Sequence, residues 1–327
     1  MLEGSILQKL QLAHSGQQRP LKFGVYFKNT LVSLCHALED YVLHDASQPL
    51  IISAFQQGKW YLQEAERYST MAERARHVVI MAQSDAGFID HPTSQQANVD
   101  LVDLNAADPV AQEWHLIILA PTYTAMVLCQ ELSDADYGPA GQPEQDLERK
   151  FYGFWTFETD LVQETVDLAI AHISHYRPEL AQQLQQHRDQ VERSPASFED
   201  LNVVVTRVVD YLRQGQQQLD LHRHVDVAPV FRYKALDRNL VSNEVQAFLR
   251  MAELLDQTDN DNPYASVEVA TLSEAMAELL DLPAWQLRRL RLAALLHRLD
   301  PLRSIAESDL VDPETDTQID DQIDDQI

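Results

Sequence analysis

Two apolar runs, Trp114-His115-Leu116-Ile117-Ile118-Leu119 and Tyr123-Thr124-Ala125-Met126-Val127-Leu128, stand three residues apart, and this pairing constrains the fold more than any other feature of the chain. Each run has the composition of a strand, and the intervening Ala120-Pro121-Thr122 is short enough to close a hairpin. Leu116 to Leu119 is apolar without alternation, which describes a central strand covered on both faces. The chain therefore holds a covered sheet, and a purely helical bundle is excluded.

The neighbouring segments fit that sheet. Ser5 is placed to cap a short amphipathic helix carrying Ile6, Leu7 and Leu10, and Thr30 to His44 has the spacing of a second, with Leu31, Leu34, Cys35, Leu38 and Val42 on one face. Leu50 to Phe55, His77 to Met81 and Val99 to Val102 are strand candidates, and a helix is expected from about Glu64 to Arg76. Helix is expected again over Gln145 to Lys150, Phe151 to Phe157 holds five aromatics in seven residues, and a long helix follows with Leu161, Val162, Val166, Ala169, Ile170 and Ile173 on its buried stripe. A polar, Gln-rich helix is expected over Glu179 to Arg193.

The polar turn Arg193-Ser194-Pro195-Ala196-Ser197 marks the expected domain boundary, and Ser197 to Asp200 reads as a capping box for a helix burying Leu201, Val204, Val205, Val208 and Leu212. Leu240 to Leu255, Ser266 to Leu280 and the stretch after Pro283 to Arg298 also read as helices. From Glu307 onward there are nine acidic residues and no basic one. The expected class is α+β: a mixed α/β domain with a β-sheet core over 1–192, an all-α region over 197–306, and a disordered acidic tail over 307–327.

With 51 acidic against 25 basic residues the net charge is −26, which repels phosphate backbones and anionic lipid, so nucleic acid is not an expected partner. The two cysteines, Cys35 and Cys129, imply no disulfide framework. No basic stretch followed by a long apolar one opens the sequence, and no apolar run approaches the roughly 20 residues that cross a bilayer. A cytoplasmic protein without a membrane span is expected.

The segment Trp114 to Glu131, followed by Arg149-Lys150-Phe151-Tyr152-Gly153-Phe154-Trp155-Thr156-Phe157, resembles the DICT sensory domain, a family found mainly in cyanobacteria beside diguanylate cyclases and two-component proteins. The resemblance extends over roughly residues 20 to 190. It implies a sensory or regulatory role, often connected with light, and brings no catalytic residue or ligand to carry over.

Leu290 to His297 is similar to the helix that precedes the His-Asp pair of metal-dependent phosphohydrolases, but the pair is broken. Arg298 follows His297 where an Asp ligand belongs, and Asp300 lies two places further on. A guanidinium cannot bind a cation and opposes a divalent site beside it. This region is expected to keep packing without metal chemistry.

Other candidates weigh less. Cys35-His36 resembles the dipeptide at which some photoreceptors attach a tetrapyrrole, but Cys35 falls on the apolar face of its helix, where a structural thiol is the simpler reading. His222-Arg223-His224-Val225-Asp226 has possible ligand spacing on an extended segment and reads more simply as a solvated connection. No phosphate loop or nucleophile elbow occurs, and the chain has only nine glycines. Among the aromatics Trp60, Tyr61, Trp114, Tyr123, Phe151, Tyr152, Trp155 and Phe157, core positions are expected for most, with Trp114, Tyr123 and Trp155 chosen as pocket residues.

The expected function is non-enzymatic signal sensing or regulation, linked to light or cyclic dinucleotides. Expected partners are other signalling proteins, with a small-molecule ligand or a second copy of the chain admissible and the cofactor unknown. The alternatives are a protein-docking scaffold and a residual metal-dependent phosphohydrolase.

Overall fold

The expected hairpin lies at the middle of a seven-stranded sheet. The computed structural model describes residues 1–16, 21–44, 47–83, 87–143, 149–191, 203–211, 230–259 and 261–299. Its strands are β1 (Gly24–Phe27), β2 (Leu50–Ala54), β3 (His77–Ala82), β4 (Val99–Asp103), β5 (Glu113–Leu119), β6 (Thr124–Glu131) and β7 (Lys150–Thr156), in the spatial order β1-β7-β6-β5-β2-β3-β4. The hairpin pairs Leu119 with Thr124 and Glu113 with Gln130, and Ala120 N–H closes the turn on Tyr123 O at 3.0 Å.

The sheet is mixed because two kinds of connection built it. A helical crossover, α3 (Gly58–Ala72), sets β2 and β3 parallel, and β4 continues parallel to β3. Every pairing from β1 through β7, β6 and β5 to β2 is antiparallel. Four reversals bring the direction back, so β1 and β2 run the same way.

Two layers of helix cover the sheet. The face carrying Ile52, Val79, Ile117, Met126 and Phe154 packs against α1 (Ile6–His14), α4 (Thr159–Ile173) and α5 (Pro178–Asp189). All six expected residues of the α4 stripe, Leu161 to Ile173, are buried there. The opposite face is covered by α2 (Lys28–His44) and α3, where Ser53 Oγ of β2 meets Tyr68 Oη of α3 at 2.7 Å. β2 and β3 are buried at every position, as strands covered on both faces must be.

Helical backbone follows over residues 203–211 (α6) and in α7 (Val230–Thr258), α8 (Ala265–Leu279) and α9 (Ala284–Leu295). Val204, Val205 and Val208 of α6 are buried as expected. The chain divides into two compact units, Met1–Gln246 and Ala247–Ile327. The turn at Arg193 to Ser197, the capping box at Ser197 to Asp200, Leu201, Leu212, the segment His222 to Asp226, Asp300 and the acidic tail all lie outside the described residues.

Some local expectations differ from the structure. β1 was not foreseen, because four residues on a sheet edge leave little periodicity to read. Lys150, expected to end a helix, opens β7, because residues 150–153 pair with 24–27 on one side and 151–156 with β6 on the other. α3 begins at Gly58, directly after the β2 connection, rather than near Glu64.

Candidate ligand-binding site

Because β1 and β2 run in the same direction, the N-termini of the helices that follow them, α2 at Lys28 and α3 at Gly58, emerge at the same edge of the sheet. Open sheets bind ligands outside the carboxyl ends of their strands, and helix N-termini carry partial positive charge there. At this edge lies a cavity of about 80 Å³ lined by Lys28, Val32, Phe55, Gln56, Trp60, Gln63, Glu64, Trp114 and Phe151.

Its walls are aromatic. Trp114 of β5 and Phe151 of β7 meet edge to face at 5.4 Å. Trp60 of α3 has Lys28 Nζ 4.7 Å and Arg149 Cζ 5.6 Å from its ring centroid, placing two cations against one indole in a chain of strongly negative net charge. Neither α2 nor α3 has an acidic residue in its first turn to neutralise its N-terminus.

Gln56, at the carboxyl end of β2, supplies the polar contact. Its amide nitrogen donates to Gln112 O at 3.2 Å and to Glu131 Oε2 at 3.4 Å, while Oε1 is buried without a hydrogen-bond partner. A buried acceptor left unmade costs free energy that a donor placed in the cavity would recover. Glu131 is held in turn by Arg149 at 2.6 Å.

Glu64 connects the cavity wall to the helices outside it. Its Oε2 lies 3.2 Å from His36 Nε2 on α2. Burial disfavours the imidazolium, but the bond to Glu64 and the charge of Glu39 outweigh it and raise the His36 pKa; the same bond lowers that of Glu64. Arg67 of α3 binds Glu39, Asp40 Oδ1 and the His36 carbonyl. Burial raises the Glu39 pKa against the pull of Arg67. Asp40 also accepts from Tyr211 Oη of α6 at 2.8 Å and pairs with Arg207 at 3.3 Å, and the Tyr211 ring lies 5.6 Å from that of His36.

Of the residues expected at a pocket, Trp114 lines this cavity and His36 reaches it through Glu64. Cys35, Tyr123 and Trp155 are not among its walls. Cys35 is buried, and burial raises its thiol pKa well above the ordinary value. Tyr123 packs against Tyr41 at 4.2 Å, and its hydroxyl, like Trp155 Nε1, is buried without a partner. Trp60 and Phe151, named in sequence only as general candidates, belong to the cavity, whereas Lys28, Gln56 and Glu64 were missed. The signal that could have found them is the Gln56-Gln57-Gly58 turn closing a buried strand and opening a helix.

In the second unit His297 Nδ1 lies 2.8 Å from the Ala294 carbonyl, and Arg298 pairs with Asp256 at 3.1 Å and Asp259 at 2.7 Å. Asp256 also accepts from Ser266 N–H at 2.9 Å and Ser266 Oγ at 3.1 Å, which holds the start of α8. Among the described residues no group of three His, Cys, Asp or Glu side chains is placed to hold a metal ion. No helix of the described residues is long and apolar enough to cross a membrane.

The fold and cavity define an α/β/α sheet domain with a small aromatic chamber at the carboxyl ends of its parallel strands. Residues 4–132 match the DICT family, described as the sensory domain in diguanylate cyclases and two-component systems. Residues 145–221 match CHASE6_C, the C-terminal domain of a two-partite extracellular sensor domain. No curated protein matches the chain. Both descriptions are of sensory domains, and they point to a signal-sensing role. The DICT match ends earlier than expected from sequence, and the two matches meet between β6 and β7, which are neighbours in one sheet.

Proposed function

We propose that the chain is a non-enzymatic sensor that binds a small, flat molecule carrying both an anionic group and a hydrogen-bond donor in the chamber between α2, α3 and the sheet, and reports occupancy through α6. The observation that carries this reading is the buried, unpartnered Oε1 of Gln56 on the wall of an aromatic chamber that Lys28 and two helix N-termini make electropositive. About 80 Å³ admits a group no larger than a single small ring and falls well below the roughly 300–1,000 Å³ of pockets that hold larger ligands. The link to cyclic dinucleotides therefore belongs with the signalling partners that the DICT description implies, and not with the chamber.

Transmission follows the hydrogen bonds. A ligand whose donor reaches Glu64 competes with His36 for its carboxylate, and His36, Arg67 and Asp40 form the surface on which Tyr211 and Arg207 of α6 dock. The ligand then shifts the population of docked α6 only by its different affinity for the two arrangements. The non-enzymatic part of the reading is supported by the pairing of Arg298 with Asp256 and Asp259, which occupies the residue standing in the metal-ligand position. A cytoplasmic location is supported by two buried, unpaired cysteines.

The test is a thermal-shift and tryptophan-fluorescence screen with single-ring carboxylates and phosphates that also carry a hydroxyl or amine donor. A true ligand at a hundred times its Kd adds about 2.7 kcal/mol of stability. Gln56→Leu and Trp60→Ala should each weaken it about tenfold or more. A screen without a stabilising compound, or one whose hits bind both variants unchanged, defeats the proposal.

A further inference from the structure

Ten of the sixteen exposed large apolar side chains among the described residues fall between Tyr264 and Leu292. On α8 and the residue after it, Val269, Leu272, Met276, Leu279 and Leu280 recur at the three- and four-residue spacing of a helix-packing seam, and Leu272 and Leu279 are 62% and 87% exposed. On α9, Trp285 is 56% exposed and lines an open groove with Gln286, Arg289, Leu290 and Ala293. Large apolar side chains this exposed, gathered on two neighbouring helices, mark an interaction site.

Charge identifies the occupant. α8 carries Glu268, Glu274 and Glu278 and no basic residue, whereas α9 carries Arg288, Arg289 and Arg291 and no acidic one. Glu274 and Arg291 pair within the hairpin at 2.6 Å, and among the described residues Glu268, Glu278 and Arg288 have no ion-pair partner. An acidic helix beside a basic one is self-complementary: a twofold axis can lay the α8 of one chain along the α9 of another, with opposite charges facing across an apolar centre. An unrelated acidic or basic partner would match only one of the two helices.

We infer that the α8–α9 hairpin is a homodimerisation surface, which joins two copies of this chain through a four-helix arrangement. Two hairpins packed in this way bury the seam as helix bundles do.

The experiment is sedimentation velocity on the full chain across a concentration series, with circular dichroism to confirm folding. The wild type is expected to sediment as two chains, and Leu272→Glu/Met276→Glu as one, with association weakened about a hundredfold or more by carboxylates in the seam. Arg288→Glu/Arg289→Glu should be monomeric alone, as should Glu268→Lys/Glu278→Lys, while an equimolar mixture of these two recovers the two-chain species. The inference fails if the wild type is monomeric throughout, if the dimer survives the seam substitutions, or if the charge variants do not recover on mixing. It also fails if removing residues 300–327 is what first produces a dimer, since that segment would then be the occupant.

Discussion

His36 Nε2 stands 3.2 Å from Glu64 Oε2, so an ion pair joins α2 to the one carboxylate on the wall of the chamber. The pair is partly exposed, and its worth depends on both groups being charged.

Its pH dependence has a definite sign. The folded His36 has a raised pKa, so its contribution is complete below about pH 6.5, the ordinary histidine value, and is lost as pH rises through the folded value. The folded Glu64 has a lowered pKa, so its contribution is present above the ordinary value of 4.5 and is lost as pH falls through the folded one. The difference in stability between wild type and His36→Ala should therefore be greatest between about pH 4.5 and 6.5. Urea unfolding at a series of pH values measures it, and a difference that is flat across that range contradicts the pairing.

A second prediction concerns Glu113, a fully buried carboxylate on β5 that caps α1 from the other side of the chain. Its oxygens accept from Ile6 N–H at 3.1 Å and Leu7 N–H at 2.9 Å, and one lies 3.0 Å from His115 Nε2. Removing an acceptor shared by buried donors leaves each of them unmade. Glu113→Ala should cost about 3 kcal/mol or more, and Glu113→Gln, which keeps one carbonyl acceptor, should cost less. Denaturant midpoints give the order of the two.

Gly153 of β7 sits opposite Cys129 of β6 with no room for a side chain. A Cβ there would stand 2.2 Å from Leu128 O and 2.4 Å from Cys129 Cβ, so both strands would have to move. Overpacking of this kind costs about 1–3 kcal/mol in a deformable core, and a strand backbone yields less readily. Gly153→Ala should lower the unfolding midpoint at least that far, or prevent accumulation of folded protein.

Cys35 and Cys129 are both buried, and burial raises both thiols well above their ordinary pKa. Only thiolates react readily, so neither cysteine should be modified by a disulfide reagent in the native protein, and both should react in denaturant. Fast labelling of Cys35 in the folded chain would restore it as an attachment point.

What the sequence carried plainly was whatever repeats over many residues. The hairpin 114–128, the strands β2 and β3, and the α4 stripe are all local patterns imposed by one or two covered faces, and a covered face writes itself into composition. That Arg298 pairs with Asp256 and Asp259 was not legible in sequence, because both carboxylates lie some forty residues away from it. The chamber was beyond such reading. Trp114 was named together with Tyr123 and Trp155, which do not line the chamber, and periodicity does not say which end of a strand meets a helix N-terminus. That depends on the order β1-β7-β6-β5-β2, whose four reversals bring Lys28, Gln56 with Glu64, Trp114 and Phe151, from four separate segments, to one edge. The sequence by itself determined a covered mixed sheet with helices behind it; only the tertiary structure decided where it opens, because strand order is a relation between distant segments that no local pattern records.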